Sequence, residues 1–347
     1  MSTLIILLDG AADERIPDLG HQTPLQALDK KFMDSLASHG ELGCTEARAY
    51  THLFMLEFVS GRQMEVPRGV IEALGYGMKL KEGEVAYRLS PARLNGRRVE
   101  WVYGLSCEQD TKLRLAAKRH MAAIEHLNPR INFYCPGKGI LTVRSDHVED
   151  FPFPPEDVDL ERADFGELDP FIRGMVSANG GMVVMPWGGG RISSEINRKP
   201  HPCAKDITFF SKSPSVNGVA ALFDLGTNEV SNYKEGFKLA LSQLKCNDVF
   251  LHIEEIDDIS HQKDAMEKML ILEDVDVLLR ESAKKLSAHE VALIVDHGTS
   301  SLTGQHLVMR VPFAKGSASL SKCSRKFAEN EERFIALSQL LPHLLED

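Results

Sequence analysis

No Cys-x-x-C pair occurs in the chain, and its six cysteines are scattered at positions 44, 107, 135, 203, 246 and 323. That spread excludes a compact disulfide framework and fits thiols kept in a reducing compartment. No apolar run approaches the roughly 20 residues that a membrane helix needs, and no basic leader stretch precedes the first apolar segment. The expectation is a soluble, cytoplasmic protein with no membrane partner. Basic charge is also short: 40 Lys and Arg face 50 Asp and Glu, a formal net charge of -10. Bulk charge therefore excludes a nucleic-acid footprint, while local cationic spots can still hold a small phosphorylated metabolite. Internal repeats and low-complexity tracts are absent as well.

What the chain does contain is an alternation of apolar strands and amphipathic helices. Its 347 residues make one large or two modest domains. Continuous apolar runs at 3–8, 182–186, 249–253 and 291–295 read as buried strands, with a further strand at 307–312. Helices are expected around 53–58 (after a loop from Gly43), 216–223, 233–244, 263–285 and 327–345, with a short helix or turn at 69–77. Between 95 and 165 the texture changes. A strand at 97–103, a helix over 110–126 and a hairpin at Pro136-Gly137 are followed by a Pro- and acid-rich linker at 149–170. This predicts an α/β protein whose core, 1–94 and 166–347, has a mainly parallel sheet, interrupted by a smaller inserted α/β domain at 95–165.

Three polar groups follow apolar strands. Asp9-Gly10 ends the first; Asp257-x-x-x-His261 follows 249–253; Asp296-His297 ends 291–295 and leads through a Gly/Ser/Thr loop to His306. Ligands in open α/β sheets bind outside the carboxyl ends of strands. The four-residue spacing of Asp257 and His261 puts both on one face of a helical turn. Each piece alone reads as a turn or a solvated loop. Together, three carboxylates and three imidazoles make an inventory for two metal ions. Arg191, after three glycines, and Lys212, in PheSerLysSerPro, are candidate grips for a phosphate or carboxylate and equally readable as surface charges.

The ordered motifs resemble the archaeal type of cofactor-independent phosphoglycerate mutase, in the alkaline phosphatase superfamily. They are LeuLeuAspGly at 7–10, ThrProLeuGlnAla at 23–27, ProArgGlyValIleGluAlaLeuGly at 67–75 and GluValAlaTyrArg at 84–88. ThrAsnGluValSerAsnTyrLysGluGly at 227–236, AspAspIleSerHis at 257–261 and AspHisGlyThrSer at 296–300 with His306 complete the series. The middle, 95–165, matches poorly. The resemblance implies an alkaline phosphatase-like core with a cap that closes over the strand ends. It also implies two divalent metals, one at Asp9, Asp296 and His297, the other at Asp257, His261 and His306. A mixed His and carboxylate set suits Mn or Zn, with Mg admissible. The implied reaction is the interconversion of 2- and 3-phosphoglycerate through a phosphorylated serine.

The sequence departs from the family at that serine. With His52 as anchor, the family's Ser-Asp-x-Ala-His stretch becomes ArgAlaTyrThrHis, and Arg48 takes the nucleophile's place. A guanidinium stays protonated and accepts no phosphoryl group. Arg48 therefore grips a substrate anion, replaces a metal, or marks a shifted alignment in which Thr45, Thr51 or Ser60 supplies the hydroxyl. Two rival functions follow: hydrolysis of a phosphate or phosphonate ester by metal-bound hydroxide, and a non-catalytic relative that binds a phosphometabolite. A homo-oligomer stays open.

Overall fold

The computed structural model describes residues 1–151, 159–318, 323–329 and 332–346. The chain forms two compact units, Met1–Glu65 with Arg198–Asp347, and Val66–Asn197. The first unit opens with β1 (Thr3–Leu8), α1 (Lys31–His39), β2 (Glu41–Glu46) and α2 (Thr51–Ser60). The second contains α3 (Arg68–Gly75), β3 (Glu84–Asn95), β4 (Arg98–Trp101), α4 (Cys107–His120), β5 (Arg130–Cys135), β6 (Lys138–Arg144), α5 (Asp169–Ala178) and β7 (Met182–Gly190). The chain then returns to the first unit with β8 (Thr208–Ser211), α6 (Pro214–Leu222), β9 (Thr227–Glu229), α7 (Tyr233–Gln243), β10 (Val249–Ile253) and α8 (Glu255–His261). It finishes with α9 (Ala265–Leu286), β11 (Glu290–Ile294), β12 (Arg310–Ser317) and α10 (Leu337–Leu345).

Seven strands of the first unit form one sheet in the order β2-β12-β11-β1-β10-β8-β9. β11, β1, β10, β8 and β9 pair in parallel, while β12 runs antiparallel to both its neighbours. This is the mainly parallel α/β core expected from the apolar runs. Every residue of β1 and β10 is buried, as strands covered on both faces require. Because β11, β1 and β10 are adjacent and parallel, their carboxyl ends share one edge of the sheet. Asp9, the Asp257 helix and Asp296-His297 all emerge there.

The second unit is built on an antiparallel sheet of β3, β4, β5, β6 and β7. Its bounds lie outside the expected 95–165 on both sides. The reason is β3, a twelve-residue strand that pairs with β6, β4 and β7 and so draws both flanks into this sheet. The hairpin around Pro136-Gly137 is present as β5 and β6. Part of the expected 149–170 linker lies outside the described residues.

Two other expectations differ, and one strand was not read at all. The segment from Gly43 is not a loop but β2, which pairs with β12 through Pro312↔Cys44 and Phe313↔Gly43. Thr208–Ser211 is a strand, too short to show a period. The last helix starts at Leu337, not at 327. Before it the chain runs beside β2, with Cys44 N–H donating to the Arg333 carbonyl (3.0 Å) and Ile335 N–H to the Cys44 carbonyl (3.0 Å). That pairing holds the backbone extended where the side-chain pattern alone reads as helical.

The second unit also buries a charged cluster. Glu72 on α3, about 1% exposed, accepts from Arg68 Nε (2.7 Å), Arg88 and the Tyr134 hydroxyl (2.6 Å). Ser90 Oγ receives both Arg88 Nε (3.2 Å) and Trp187 Nε1 (3.0 Å). Burial pushes the Glu72 carboxyl up, but the charges of Arg88 and Arg68 outweigh it and hold it below the usual range. A carboxylate held low in the folded state stabilises fully above its unfolded pKa of about 4.3 and loses that contribution as pH falls through the folded value. Glu72→Gln leaves Arg88 buried without its counter-charge, so urea unfolding should show a loss of about 3–5 kcal/mol. Between neutral pH and about pH 4 and below, the wild-type melting temperature should fall more steeply than that of the variant. Equal stability of the two proteins at neutral pH would refute this role.

Candidate metal centre

The apolar strands end where polar side chains can no longer be kept dry on the sheet. Past the end of β1, Gly10 adopts φ +65°. A Cβ there would lie 2.6 Å from Asp257 Oδ1 and 2.7 Å from Thr299 Oγ1. Glycine thus lets the β1 loop pass directly beneath Asp257, and Gly10 N–H donates to Asp296 Oδ1 (3.1 Å). Lys268 on α9, fully buried, ties the neighbouring loops. Its Nζ donates to the Ala12 carbonyl (3.2 Å), the Thr299 carbonyl (2.9 Å) and Asp13 Oδ2 (2.9 Å).

Six of the nine residues singled out in the sequence form two triads on this edge. Asp9, Asp296 and His297 are all buried, and Asp257, His261 and His306 are partly exposed. Within each triad one ligand atom from every member lies within 4.8 Å of the others. His297 and His306 stack with ring centroids 4.2 Å apart, so the triads are neighbours.

In the outer triad, α8 brings His261 Nε2 within 3.2 Å of Asp257 Oδ2, and His306 Nε2 lies 3.8 Å from Asp257 Oδ1. His261 Nδ1 is 2.7 Å from the Gly304 carbonyl and His306 Nδ1 is 2.6 Å from the Ala49 carbonyl. Carbonyls only accept, so both Nδ1 atoms carry hydrogen. In neutral rings both Nε2 atoms then present lone pairs, and they face each other across 3.1 Å. Burial and the charge of His297 push His306 down to about 4, which keeps its ring neutral. Two ring nitrogens and a carboxylate aimed at one point are held together by a proton or a metal cation between them. A backbone carbonyl on the far ring nitrogen is the usual support of a metal-bound histidine.

In the inner triad, His297 Nε2 lies 3.2 Å from Asp9 Oδ1 and 3.4 Å from Asp296 Oδ2. The second contact lacks hydrogen-bond geometry, and Asp296 Oδ2 is a buried oxygen with no hydrogen-bond partner. Burial, then the charge of Asp9, pushes Asp296 up to about 7. Burial lowers His297, but Asp296 and Asp9 outweigh it and raise it to about 10. Burial and Asp257 also push Asp9 up, yet hydrogen bonds from His252 and His297 prevail and its pKa falls below the usual range. Two carboxylates and an imidazole with an unpartnered oxygen make a donor set that a dication fits.

The remaining three residues fall elsewhere. Arg48 does not stand among the ligands: Nε donates to Glu57 Oε2 (2.8 Å), NH2 to the same oxygen (2.5 Å) and NH1 to the Ala47 carbonyl (3.2 Å). Only its backbone touches the site, through N–H to the Asp296 carbonyl (3.2 Å). Lys212 lies among Asp258 (3.0 Å), Glu255 (3.6 Å) and Glu254 (3.8 Å). Burial lowers its pKa, but these carboxylates raise it above the usual value. Lys212 thereby anchors α8. Arg191 belongs to the second unit and donates to the Ser145 carbonyl (2.6 Å).

Sequence reasoning assigned no role to one contributor and named the other only as a candidate hydroxyl under a shifted alignment. His252, buried in β10, lies with Nε2 2.8 Å from Asp9 Oδ2 and Nδ1 2.8 Å from Ser211 Oγ. A histidine inside ValPheLeuHisIle was the available signal. The other is Thr51, whose hydroxyl donates to Asp9 Oδ1 (3.2 Å) and Oδ2 (3.3 Å) and lies 3.4 Å from His297 Nε2. Among the described residues no helix is long and apolar enough to cross a membrane.

The metalloenzyme superfamily model matches residues 213–346, a stretch that holds five of the six triad residues. The chain is 23% identical to the 2,3-bisphosphoglycerate-independent phosphoglycerate mutase of Methanosarcina acetivorans, over 90% of each protein. Among solved structures, a protein from Pyrococcus horikoshii is 19% identical with TM-score 0.70, covering 99% of this chain and 96% of that one. The cofactor-independent phosphoglycerate mutase of Thermoplasma acidophilum is 19% identical with TM-score 0.54, covering 99% and 98%. Both share the fold.

Gly10→Ala should push Asp257 away and impose a left-handed alanine. Titration calorimetry with Mn2+ should show affinity about tenfold to a hundredfold weaker, and thermal unfolding should show a loss of about 1–2 kcal/mol. Unchanged Mn2+ affinity would show that Asp257 is not held by this close passage.

Proposed function

Because this chain belongs to the archaeal-type cofactor-independent phosphoglycerate mutase family, within the metalloenzyme superfamily, we propose that it is a metal-dependent phosphoryl-transfer enzyme that interconverts 2- and 3-phosphoglycerate. The observation that carries the reading is the facing pair of Nε2 atoms in the outer triad, 3.1 Å apart beside Asp257. Asp257, His261 and His306 would hold one divalent ion, and Asp9, Asp296 and His297 the other. Nitrogen and oxygen donors together suit Mn or Zn better than Mg, which favours oxygen and water. When bound, two such ions neutralise and orient a phosphoryl group during in-line transfer.

The chain's own side chains do the rest. Asp9 is steadied by His252 and Ser211 behind it. Lys212 fixes the helix that carries Asp257 and His261. Arg191, whose glycine-rich approach suits close contact with an anion, is the proposed grip for a substrate carboxylate or phosphate. We take the second unit as the family's cap and a source of further recognition residues. Free thiols at all six cysteines suit the cytoplasm as the working compartment.

A second reading has one observation in its favour: Arg48 stands where the family's serine is expected. Transfer to water would then make the protein a phosphate or phosphonate ester hydrolase. Incubation with Mn2+ and 3-phosphoglycerate separates the two. Formation of 2-phosphoglycerate without free phosphate is the expected outcome. Free phosphate alone would replace the mutase by the hydrolase. No turnover of 3-phosphoglycerate or p-nitrophenyl phosphate with Mn2+, Zn2+ or Mg2+ would overturn phosphoryl transfer altogether.

A further inference from the structure

We propose that Thr51 is the residue that receives the phosphoryl group, in place of the serine displaced by Arg48. This rests on the phosphoryl-transfer reading above. Thr51 is the first residue of α2, a ten-residue helix, and is only 6% exposed. A threonine at a helix start usually caps the backbone. Here the cap position is Tyr50, without a side-chain cap bond, and the Thr51 hydroxyl turns to Asp9 and His297 instead. It thus touches two of the three residues of the inner triad, at the positive end of a helix dipole, where a phosphate dianion is favoured.

Of the other hydroxyls considered, only that of Thr299 touches a triad carboxylate, and it donates to Asp257 of the outer triad rather than to Asp9. Thr45 Oγ1 donates to Glu46 (3.2 Å). Ser60, at the far end of α2, donates to the Arg62 carbonyl (2.9 Å). Thr299 donates to Asp257 Oδ1 (2.6 Å) and lies 3.2 Å from His297 Nδ1, on the side of the ring away from the triad. Arg48 is drawn to Glu57 and makes no hydrogen bond with the hydroxyl at position 51.

The step balances without a further reactant. Thr51 Oγ1 bonds to phosphorus as the bond from phosphorus to the ester oxygen breaks, and the hydroxyl proton ends on the departing alcohol. Reversal with the neighbouring substrate hydroxyl gives the isomer; reversal with water gives free phosphate. Phosphothreonine is therefore the common intermediate of both outcomes in the preceding test.

The experiment uses the full chain with Mn2+ and 3-phosphoglycerate, or p-nitrophenyl phosphate as a generic donor, quenched in acid and mapped by peptide mass spectrometry. The expected result is one phosphate on Thr51. Thr51→Ser should keep the label on the new hydroxyl. Thr51→Ala should lose it, with turnover lower by on the order of a thousandfold and Mn2+ binding retained by calorimetry. Product formed by the wild type without a label, a label on another residue, or undiminished turnover by Thr51→Ala would each overturn the assignment while leaving phosphoryl transfer standing. Neither label nor product in the wild type would remove the phosphoryl-transfer reading and this assignment with it. Should Thr51→Ala fail to fold, the wild-type and Thr51→Ser peptide maps still decide.

Discussion

Ring nitrogens and carboxylates crowded together at one edge of the sheet are the constraint on which this architecture turns. Burying a single ion costs several kcal/mol even after relaxation, and six side chains able to hold metal converge here, three of them buried. His306 and His261 present nitrogen to nitrogen, and Asp296 keeps an oxygen without a hydrogen bond. Such a pocket tolerates either protons or cations. The rest of the first unit holds these groups against their repulsion: three parallel strands deliver them to one edge, Gly10 allows close passage, and Lys268 laces the loops together.

The support is layered. His252 links Asp9 to Ser211, the Gly304 and Ala49 carbonyls fix the outer imidazoles, and Lys212 pins the helix beneath them. Each outer contact sets the tautomer or the angle of an inner group. The second unit uses the same economy of buried charge for another end: Glu72, Arg68 and Arg88 hold α3 against the antiparallel sheet.

The six candidate ligands were legible in the sequence because apolar runs mark their own ends, while their division into two triads came from the family resemblance. Asp9 and Asp296-His297 close continuous buried strands, and the spacing of Asp257 and His261 matches a helical turn, realised as α8. What was hidden depends on tertiary partners. Arg48 looked like a stray cation in the site; Glu57, nine residues on in sequence, takes its charge out of it. Thr51 looked like a helix-start residue, and only the fold turns its hydroxyl to Asp9. The long β3 and the short β8 carry no clear period, and the extended stretch before α10 takes its shape from β2 rather than from its own side chains.

The lacing by Lys268 also bears on how the chain acquires its shape during biosynthesis. One ammonium grips carbonyls after β1 and after β11, so the first carboxylate to leave the ribosome waits for nearly the last imidazole. Contacts of such sequence separation close slowly. Val66–Asn197 has its own core and sheet, and can condense while the parallel sheet is still missing its centre. An order of assembly with the second unit first leaves apolar strands of the larger sheet unpaired until the chain is nearly complete, the kind of surface that aggregates or recruits chaperones.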